Sequence, residues 1–362
     1  MPPLNGTLSE ARLRELASGY EDLRVCSGPR SGVAIAIAVH STVLGPALGG
    51  ARMWHYDSVA DGVEDALRLA RAMTYKAAAT GLDLGGGKGV ICAPTPARPE
   101  GELRRRILLD FGDAVESLEG SYVTAEDVGT GAADMVVIAE RTAHVVGLPR
   151  ERGGMGDPSP VTARGVLEAI RACLEHRFGN ASLSGVRVCV VGAGNVGSRL
   201  ARMLAGAGAE LAISDIDPAR RELAAELGAA WVEPEEAIGA ECEVLAPCAL
   251  GGAIDALTVE RLRCEIVCGS ANNLLADERL AGELARRGIL LAPDFIANAG
   301  GLINVYAELH DLDGKAVLRL VDRIGSTVRR VLSTADRLGT TPLAAAQGLA
   351  LERLRGATAA AA

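Results

Sequence analysis

Lysine is scarce in this 362-residue sequence: only Lys76, Lys88 and Lys315 occur, although lysine and arginine together number 37. Where arginine fills most basic positions, the remaining lysines are candidates for chemistry that a guanidinium cannot perform, such as losing a proton near neutral pH. Lys76 and Lys88 stand twelve positions apart in one segment that also contains a run of three glycines at 85–87. We therefore expect a reactive group in this segment.

Aromatic residues are also few, at 3% of the sequence, whereas 49% of all residues are apolar, so the cores must be filled by aliphatic side chains. No apolar run reaches the eighteen residues that a membrane span needs. The net charge of −9 argues against nucleic acid as a general partner. The sequence starts without a charged and then apolar leader, so we expect a cytoplasmic protein.

Paired cysteine motifs are missing as well. Eight cysteines are dispersed in apolar surroundings without a CxxC pair, and five histidines are scattered without metal-binding spacing. This pattern is typical of small buried side chains in a reducing compartment. We expect no metal site.

The first half of the sequence alternates strand and helix patterns. A helical stretch around residues 8–20 precedes an apolar strand at 33–39, a turn-rich passage at 44–50 and a long helix that begins near Ser58. The glycine triplet then runs into a strand at 89–93, and its bare backbone permits a ligand or another chain to approach closely. After a helix at about 102–118, a strand at 122–124 ends beside Asp127, a position typical of active-site groups in α/β folds.

A Gly/Pro-rich passage at 153–160 indicates a boundary, and a regular strand–helix alternation follows it. A helix at 161–178 leads to strands at 186–191, 211–214, 244–246, 266–268 and 289–291. This order predicts a doubly wound parallel sheet of the Rossmann type.

The turn at 192–197 (GAGNVG) carries the GxGxxG pattern in its full context. It follows an apolar strand and opens a helix, and Asp215 ends the next strand. The glycines permit a tight turn, close approach of a pyrophosphate and close packing of helix on strand, while Asp215 accepts hydrogen bonds from ribose hydroxyls and repels a 2′-phosphate. We therefore predict NAD binding. The candidate cofactor residues in this turn and strand are Gly192, Ala193, Gly194, Asn195, Val196, Gly197 and Asp215.

Together with this turn, the motifs resemble the Glu/Leu/Phe/Val amino-acid dehydrogenase family, most closely its leucine and valine members. The similar segments are 44–50, 73–76, 85–88, 124–129, 246–251, 271–273 and 292–301. The resemblance extends from about residue 25 to the end of the sequence. It implies reversible oxidative deamination of a branched-chain aliphatic L-amino acid to its 2-oxo acid and ammonium, with NAD as the hydride acceptor.

The resemblance also implies roles for individual residues. Lys76 holds the substrate carboxylate, Lys88 activates water and Asp127 relays protons; Gly45 and Asn272 contact the substrate, and Asn272 and Thr162 also lie near the nicotinamide. A lysine can serve as this base when burial and a neighbouring cation lower its pKa, and we expect Lys76 to be that cation.

By family position, the substrate side chain is expected to meet only apolar residues. These are Leu44, Met73, Ala125, Leu302 and Val305. Burying a second carboxylate there without a partner is costly, which disfavours glutamate. Leu302 stands where leucine-specific members carry valine, so we expect valine or 2-aminobutyrate to gain relative to leucine.

Three alternatives remain: the same chemistry on an aromatic amino acid, a non-catalytic NAD-binding protein, and a hydroxy-acid dehydrogenase. The retention of Lys76, Lys88 and Asp127 together argues against the second, and the absence of histidine from the motif segments argues against the third.

We predict two α/β domains flanking a cleft that closes over the substrate. Residues 1–147 and 336–362 are expected to form a substrate-binding and oligomerisation domain, and residues 148–335 the NAD-binding domain. The family resemblance implies a homo-oligomer assembled through the first domain.

Overall fold

The architecture is that of a two-domain α/β protein, seen in a computed structural model that describes residues 15–249 and 251–361. The predicted helix at 8–20 lies largely outside these residues. Backbone contacts divide the described residues into two compact units: 15–156 with 305–311 and 350–361, and 157–304 with 312–349. The chain passes between the units at 156/157 and at 349/350, whereas the sequence placed these boundaries at 147/148 and 335/336. The sequence did not predict that residues 305–311 belong to the first unit.

The first unit is built on a five-stranded mixed sheet in the order β1-β2-β4-β3-β5. Its strands are β1 (Asp22–Ser27), β2 (Ala34–Ser41), β3 (Ala47–Trp54), β4 (Gly85–Cys92) and β5 (Tyr122–Glu126). β1 and β2 form an antiparallel pair, β2 is antiparallel to β4, and β3 runs parallel to both β4 and β5. The predicted turn-rich passage at 44–50 is therefore half wrong, because its second half starts β3.

Helices cover both faces of this sheet: α1 (Val59–Thr80), α2 (Gly101–Glu116) and α3 (Ala132–Ile138). Ser58 caps α1 through a reciprocal hydrogen-bond pair with Asp61, which explains why the helix starts there. The apolar stripe of α1 packs with Ala36, Ala38 and Val90 of the sheet. On the other face, Ile107 and Phe111 of α2 are buried in a separate apolar cluster.

The second unit contains a six-stranded, entirely parallel sheet in the order β11-β10-β9-β6-β7-β8. The strands are β6 (Arg187–Val191), β7 (Glu210–Ser214), β8 (Ala230–Trp231), β9 (Glu241–Pro247), β10 (Arg263–Val267) and β11 (Leu290–Leu291). The predicted doubly wound sheet is confirmed. β8 was not predicted, because two residues are too few to produce a periodic pattern.

Nine further helices complete the described fold. They are α4 (Ser159–Phe178), α5 (Asn195–Gly206), α6 (Arg221–Leu227), α7 (Pro234–Ala237), α8 (Leu280–Arg286), α9 (Asp294–Ala297), α10 (Gly300–Leu309), α11 (Gly314–Leu338) and α12 (Pro342–Ala361). α4, α5 and α11 belong to the second unit, where α4 packs against both α5 and α11. No helix of the described chain is long and apolar enough to cross a membrane.

Candidate active site

Lys88 and Asp127 are brought together on the first sheet, as the sequence motifs suggested. Lys88 lies on β4 and Asp127 directly follows β5, and the Nζ atom of Lys88 is 2.8 Å from Oδ2 of Asp127. The lysine side chain is 6% exposed and the aspartate side chain 24% exposed. A lysine this deeply buried stands apart from an ordinary surface cation, because a buried ammonium needs compensation for the lost hydration.

Burial is the main reason why the pKa of Lys88 is lowered, and the positive charge of Arg52 adds to the effect while Asp127 opposes it. Burial alone raises the pKa of Asp127, but Lys88 and Arg52 together outweigh burial and hold that pKa below its usual value. The pair therefore combines an anionic carboxylate with an amine that gives up its proton more readily than a free lysine.

Arg52 is a member of this site that sequence reasoning missed. Its Nε atom donates to Oδ2 of Asp127 over 2.9 Å, and its Nη1 atom donates to Oδ2 of Asp65 on α1, also over 2.9 Å. The sequence predicted Lys76 as the cation near Lys88, and this stays a prediction. Arg52 is a cation whose charge lowers the pKa of Lys88. Recognising β3 would have indicated Arg52, since β3 lies between β4 and β5.

The glycine triplet has a different cause from the one predicted. All three glycines lie within β4 rather than in a loop. A side chain on Gly86 would overlap the backbone of α1 at Thr74, and one on Gly87 would overlap the ring of Tyr122. The groups that approach the bare backbone of these glycines therefore belong to the first unit itself. Close packing of α1 and Tyr122 on β4 requires these glycines.

The other predicted residues of the first unit surround this sheet at different depths. Met73 and Lys76 are half-buried one turn apart on α1, and Leu44 and Gly45 lie in the turn before β3. Gly45 has a φ of 144°, and a side chain there would overlap the carbonyl of Asp83, so the position requires glycine. Ala125 is buried on β5 opposite Gly50.

The glycine-rich turn of the second unit joins β6 to α5 as predicted. Gly192 has a φ of 99°, and a side chain on Gly197 would overlap the Gly192 carbonyl, so the turn is tight and the helix packs closely. Gly194 caps α5, and a Cβ atom there would meet no atom within 4 Å, so its surroundings are open. These features fit a dinucleotide pyrophosphate, which would bind to the free N–H groups of Asn195 and Val196 in the first turn of α5.

Asp215 follows β7, and its Oδ2 atom accepts a hydrogen bond of 2.6 Å from the backbone nitrogen of Ala193. Its Oδ1 atom accepts a bond of 2.8 Å from the backbone nitrogen of Asp217. The carboxylate is therefore fixed at the turn where an adenosine ribose would lie.

The remaining predicted residues are placed as follows. Asn272 is exposed, and its Oδ1 atom accepts a 2.8 Å hydrogen bond from the buried Asn298. Thr162 is buried on α4, where its hydroxyl donates to the carbonyl of Pro158. Leu302 is buried and Val305 half-buried on α10; the contact division assigns Leu302 to the second unit and Val305 to the first. Nothing in this placement tests the roles predicted for these four residues.

Residues 15–249 and 251–361 contain no cluster of histidine, cysteine or acidic residues that could hold a metal ion. All eight cysteines are free thiols, and burial raises the pKa of Cys189 and Cys264 to about 12. The expectation that every cysteine is buried is wrong for Cys26, which is exposed on the edge strand β1, and Cys92 and Cys248 are only half-buried.

A buried lysine–aspartate pair in one α/β unit and a dinucleotide-binding turn in another define the class of two-domain, nucleotide-dependent dehydrogenases. Three family models match the chain: "Glu/Leu/Phe/Val dehydrogenase, dimerisation domain" over residues 28–144, "Glutamate/Leucine/Phenylalanine/Valine dehydrogenase" over 219–361, and "D-isomer specific 2-hydroxyacid dehydrogenase, NAD binding domain" over 162–249.

Relatives that match over nearly the whole chain point to the same family. The chain is 44% identical to leucine dehydrogenase of Thermoactinomyces intermedius, covering 92% of this chain and 91% of the relative. It is 41% identical to valine dehydrogenase of Streptomyces coelicolor, covering 93% and 92%. The crystal structure of L-tryptophan dehydrogenase from Nostoc punctiforme superimposes with a TM-score of 0.84 at 36% identity, covering 96% and 99%. The chain belongs to the Glu/Leu/Phe/Val dehydrogenase family of NAD-dependent amino-acid dehydrogenases, and the resemblance seen in the motifs is confirmed.

Proposed function

We propose that this protein catalyses the NAD-dependent, reversible oxidative deamination of a branched-chain aliphatic L-amino acid to the 2-oxo acid and ammonium. The observation that carries the proposal is the buried Lys88, 2.8 Å from the Asp127 carboxylate and with a lowered pKa. An amine of this kind can act as a base near neutral pH. The relatives named leucine and valine dehydrogenase support the substrate class.

In this mechanism Lys76 and Lys88 have different roles. Lys76 pairs with the α-carboxylate of the amino acid and fixes its orientation. When hydride leaves the α-carbon, the substrate becomes an iminium, which neutral Lys88 helps water to attack by removing a proton. Asp127, which has taken a proton from the substrate ammonium group before hydride transfer, returns that proton to the amino group of the carbinolamine. Ammonia then leaves as the C–N bond breaks, the hydroxyl group loses its proton to form the carbonyl of the 2-oxo acid, and ammonia takes up a proton to become ammonium.

NAD, when bound, supplies the hydride acceptor. We assign its pyrophosphate to the turn from Gly192 to Gly197 and its adenosine ribose to Asp215, because the tight turn, the open surroundings of Gly194 and the fixed carboxylate fit these groups. Thr162 and Asn272 are assigned to the nicotinamide, and Asn272 together with Gly45 to the substrate.

For the substrate side chain, we propose contact with apolar residues alone. These are Leu44, Met73, Ala125, Leu302 and Val305. A carboxylate placed among them would lose its hydration without gaining a partner, so glutamate is disfavoured. The extra methylene of Leu302 favours valine or 2-aminobutyrate over leucine, by about 1–3 kcal/mol at most. The tryptophan-specific relative makes an aromatic substrate the second candidate.

We also propose a cytoplasmic homo-oligomer assembled through the first domain, without nucleic acid or membrane as partners. The family model matched to residues 28–144 is described as a dimerisation domain, which supports self-association. The negative net charge supports the absence of nucleic acid.

The decisive experiment follows NADH oxidation at 340 nm with a panel of 2-oxo acids, with and without ammonium. We expect oxidation that depends on ammonium and is fastest with branched-chain 2-oxo acids. Oxidation without ammonium would instead identify a hydroxy-acid dehydrogenase, and no oxidation would identify a non-catalytic NAD-binding protein. A higher kcat/KM with phenylpyruvate or indolepyruvate than with 2-oxoisovalerate would overturn the substrate class.

A further inference from the structure

Neighbouring side chains bind the carboxylate of Asp127 through its Oδ2 atom. Its Oδ2 atom accepts hydrogen bonds from both Lys88 Nζ, at 2.8 Å, and Arg52 Nε, at 2.9 Å. Within the described part of the chain, no hydrogen bond reaches its Oδ1 atom. The backbone nitrogen of Asp127 is fixed separately, because it donates to the hydroxyl of Thr130, which itself donates to the carbonyl of Ala51. The carboxylate thus has a fixed rotamer with Oδ1 left to accept or donate a proton.

Arg52 is in turn fixed from its far side. Oδ2 of Asp65 accepts a hydrogen bond from Arg52 Nη1 and another, of 2.7 Å, from the hydroxyl of Tyr56. The Oδ1 atom of Asp65 accepts a hydrogen bond from the exposed Arg68, which lies one turn further along α1. Arg52 therefore bridges two carboxylates that belong to different elements, the loop after β5 and helix α1, with its side chain only 20% exposed.

We propose that Arg52 is a positioning residue for the reaction: it fixes Asp127 through Oδ2 and offsets the charge of that carboxylate, so that the neighbouring Lys88 can work as a neutral base. The proposal rests on the proposed function, in which Lys88 must lose its proton. Neither the sequence motifs nor the family comparisons assigned this role to Arg52.

The charged groups that face Lys88 act on its protonation with opposite signs. Asp127 and Asp65 are negative and favour the protonated amine, whereas Arg52 is positive and disfavours it; burial of the amine acts in the same direction as Arg52. The basic residues of α1 are Arg68, which is bound to Asp65, the exposed Arg71 and the half-buried Lys76. Without Arg52, two carboxylates would act on Lys88 and strengthen its hold on the proton.

The geometry also requires a guanidinium. Nε and Nη1 point to two different carboxylates at once, and a lysine ammonium is a single point of charge that cannot reproduce this fork. Arg52→Lys therefore retains most of the charge effect but loses the fixed position of Asp127. The two parts of the role can be separated by comparing this variant with Arg52→Gln.

The test measures pH profiles of kcat/KM for oxidative deamination in the intact enzyme, with Arg52→Gln, Arg52→Lys and Asp65→Asn. Since Lys88 must be neutral, the profile has a limb that rises with pH. Arg52→Gln should move this limb to higher pH, and Asp65→Asn should move it to lower pH, because the two residues act on Lys88 with opposite sign. Arg52→Lys should keep the limb near its original pH while kcat falls, by about 10²-fold for a misplaced catalytic group.

Arg68→Gln is the matched control, since Arg68 binds the same Asp65 but does not contact Asp127; its profile should stay unchanged. Thermal unfolding should show that each variant has folded, and NAD affinity, measured by fluorescence titration, should stay unchanged in every variant. An Arg52→Gln enzyme that binds NAD and keeps the original pH limb and kcat would refute the role of Arg52. Failure of the proposed function would look different, because the unmodified enzyme would then show no ammonium-dependent oxidation of NADH.

Discussion

Ala193 and Asp215 are joined by a hydrogen bond of 2.6 Å from the backbone nitrogen of the first to Oδ2 of the second. This bond ties the glycine-rich turn after β6 to the end of β7. The carboxylate consequently stays in one place, facing the position where the ribose of a dinucleotide would lie. A 2′-phosphate at that ribose would meet this negative charge directly.

We therefore expect Asp215→Ser to reduce the preference for NAD over NADP by about ten- to a hundredfold, the effect of losing charge-assisted hydrogen bonds. Steady-state kinetics with both nucleotides measures this ratio. Asp217→Ser is the control, because the Asp217 side chain caps the short helical turn Pro218–Arg220 and pairs with Arg220 of that turn. Equal loss of preference in both variants would contradict a specific role for Asp215.

Lys88→Ala should abolish turnover, lowering kcat by at least about 10³-fold, because it removes the residue that we propose as the water-activating base. NAD should bind as before, since the nucleotide turn belongs to the second unit. Lys315→Ala provides the matched control in a protein with three lysines, as Lys315 is exposed in the first turn of α11. Near-normal kcat in Lys88→Ala would overturn the assignment of the base.

Gly86→Ala should destabilise the protein. The added Cβ atom would lie 2.6 Å from the carbonyl oxygen of Ala70 and would overlap the backbone of Thr74, so α1 would have to move. Overpacking of this kind typically costs about 1–3 kcal/mol. Thermal unfolding of Gly86→Ala can be compared with that of Gly282→Ala, on α8, where a Cβ atom meets nothing within 4 Å. Gly282→Ala should be neutral or slightly stabilising, and equal effects at both sites would contradict the explanation by close packing.

Arg353→Met should also lower the unfolding temperature. The guanidinium of Arg353 on α12 donates to the carbonyls of Ala77, Ala78 and Leu82 and pairs with Asp83, so it satisfies the C-terminal end of α1. We expect a loss of about 1–2 kcal/mol in the free energy of unfolding. Arg355→Met removes the same chemical group from an exposed position two residues further on. The interpretation fails if the two variants unfold at the same temperature.

The sequence predicted nearly all of the nucleotide turn, because each sequence feature that indicates this turn is local. The pattern from Gly192 to Gly197, the apolar strand before it and Asp215 after the next strand are all dictated by short-range backbone geometry. The same reasoning predicted the start of α1 at Ser58, where the cap and its partner Asp61 are three residues apart. Lys88 and Asp127 were selected by residue type and by motif resemblance, and the structure places them side by side.

By itself, then, the sequence determined the parallel sheet of the second unit and the glycine-rich turn, and it selected Lys88 and Asp127 as the candidate reactive pair. The tertiary structure alone decided that the charge of Arg52 acts on Lys88, and that the glycine triplet makes room for Thr74 and Tyr122. Both facts depend on strand order: β3 lies between β4 and β5, although β4 follows β3 in the chain. Charges and close contacts act through space, and residues 36 and 75 positions apart, such as Arg52 with Lys88 and Asp127, become neighbours only when the sheet forms.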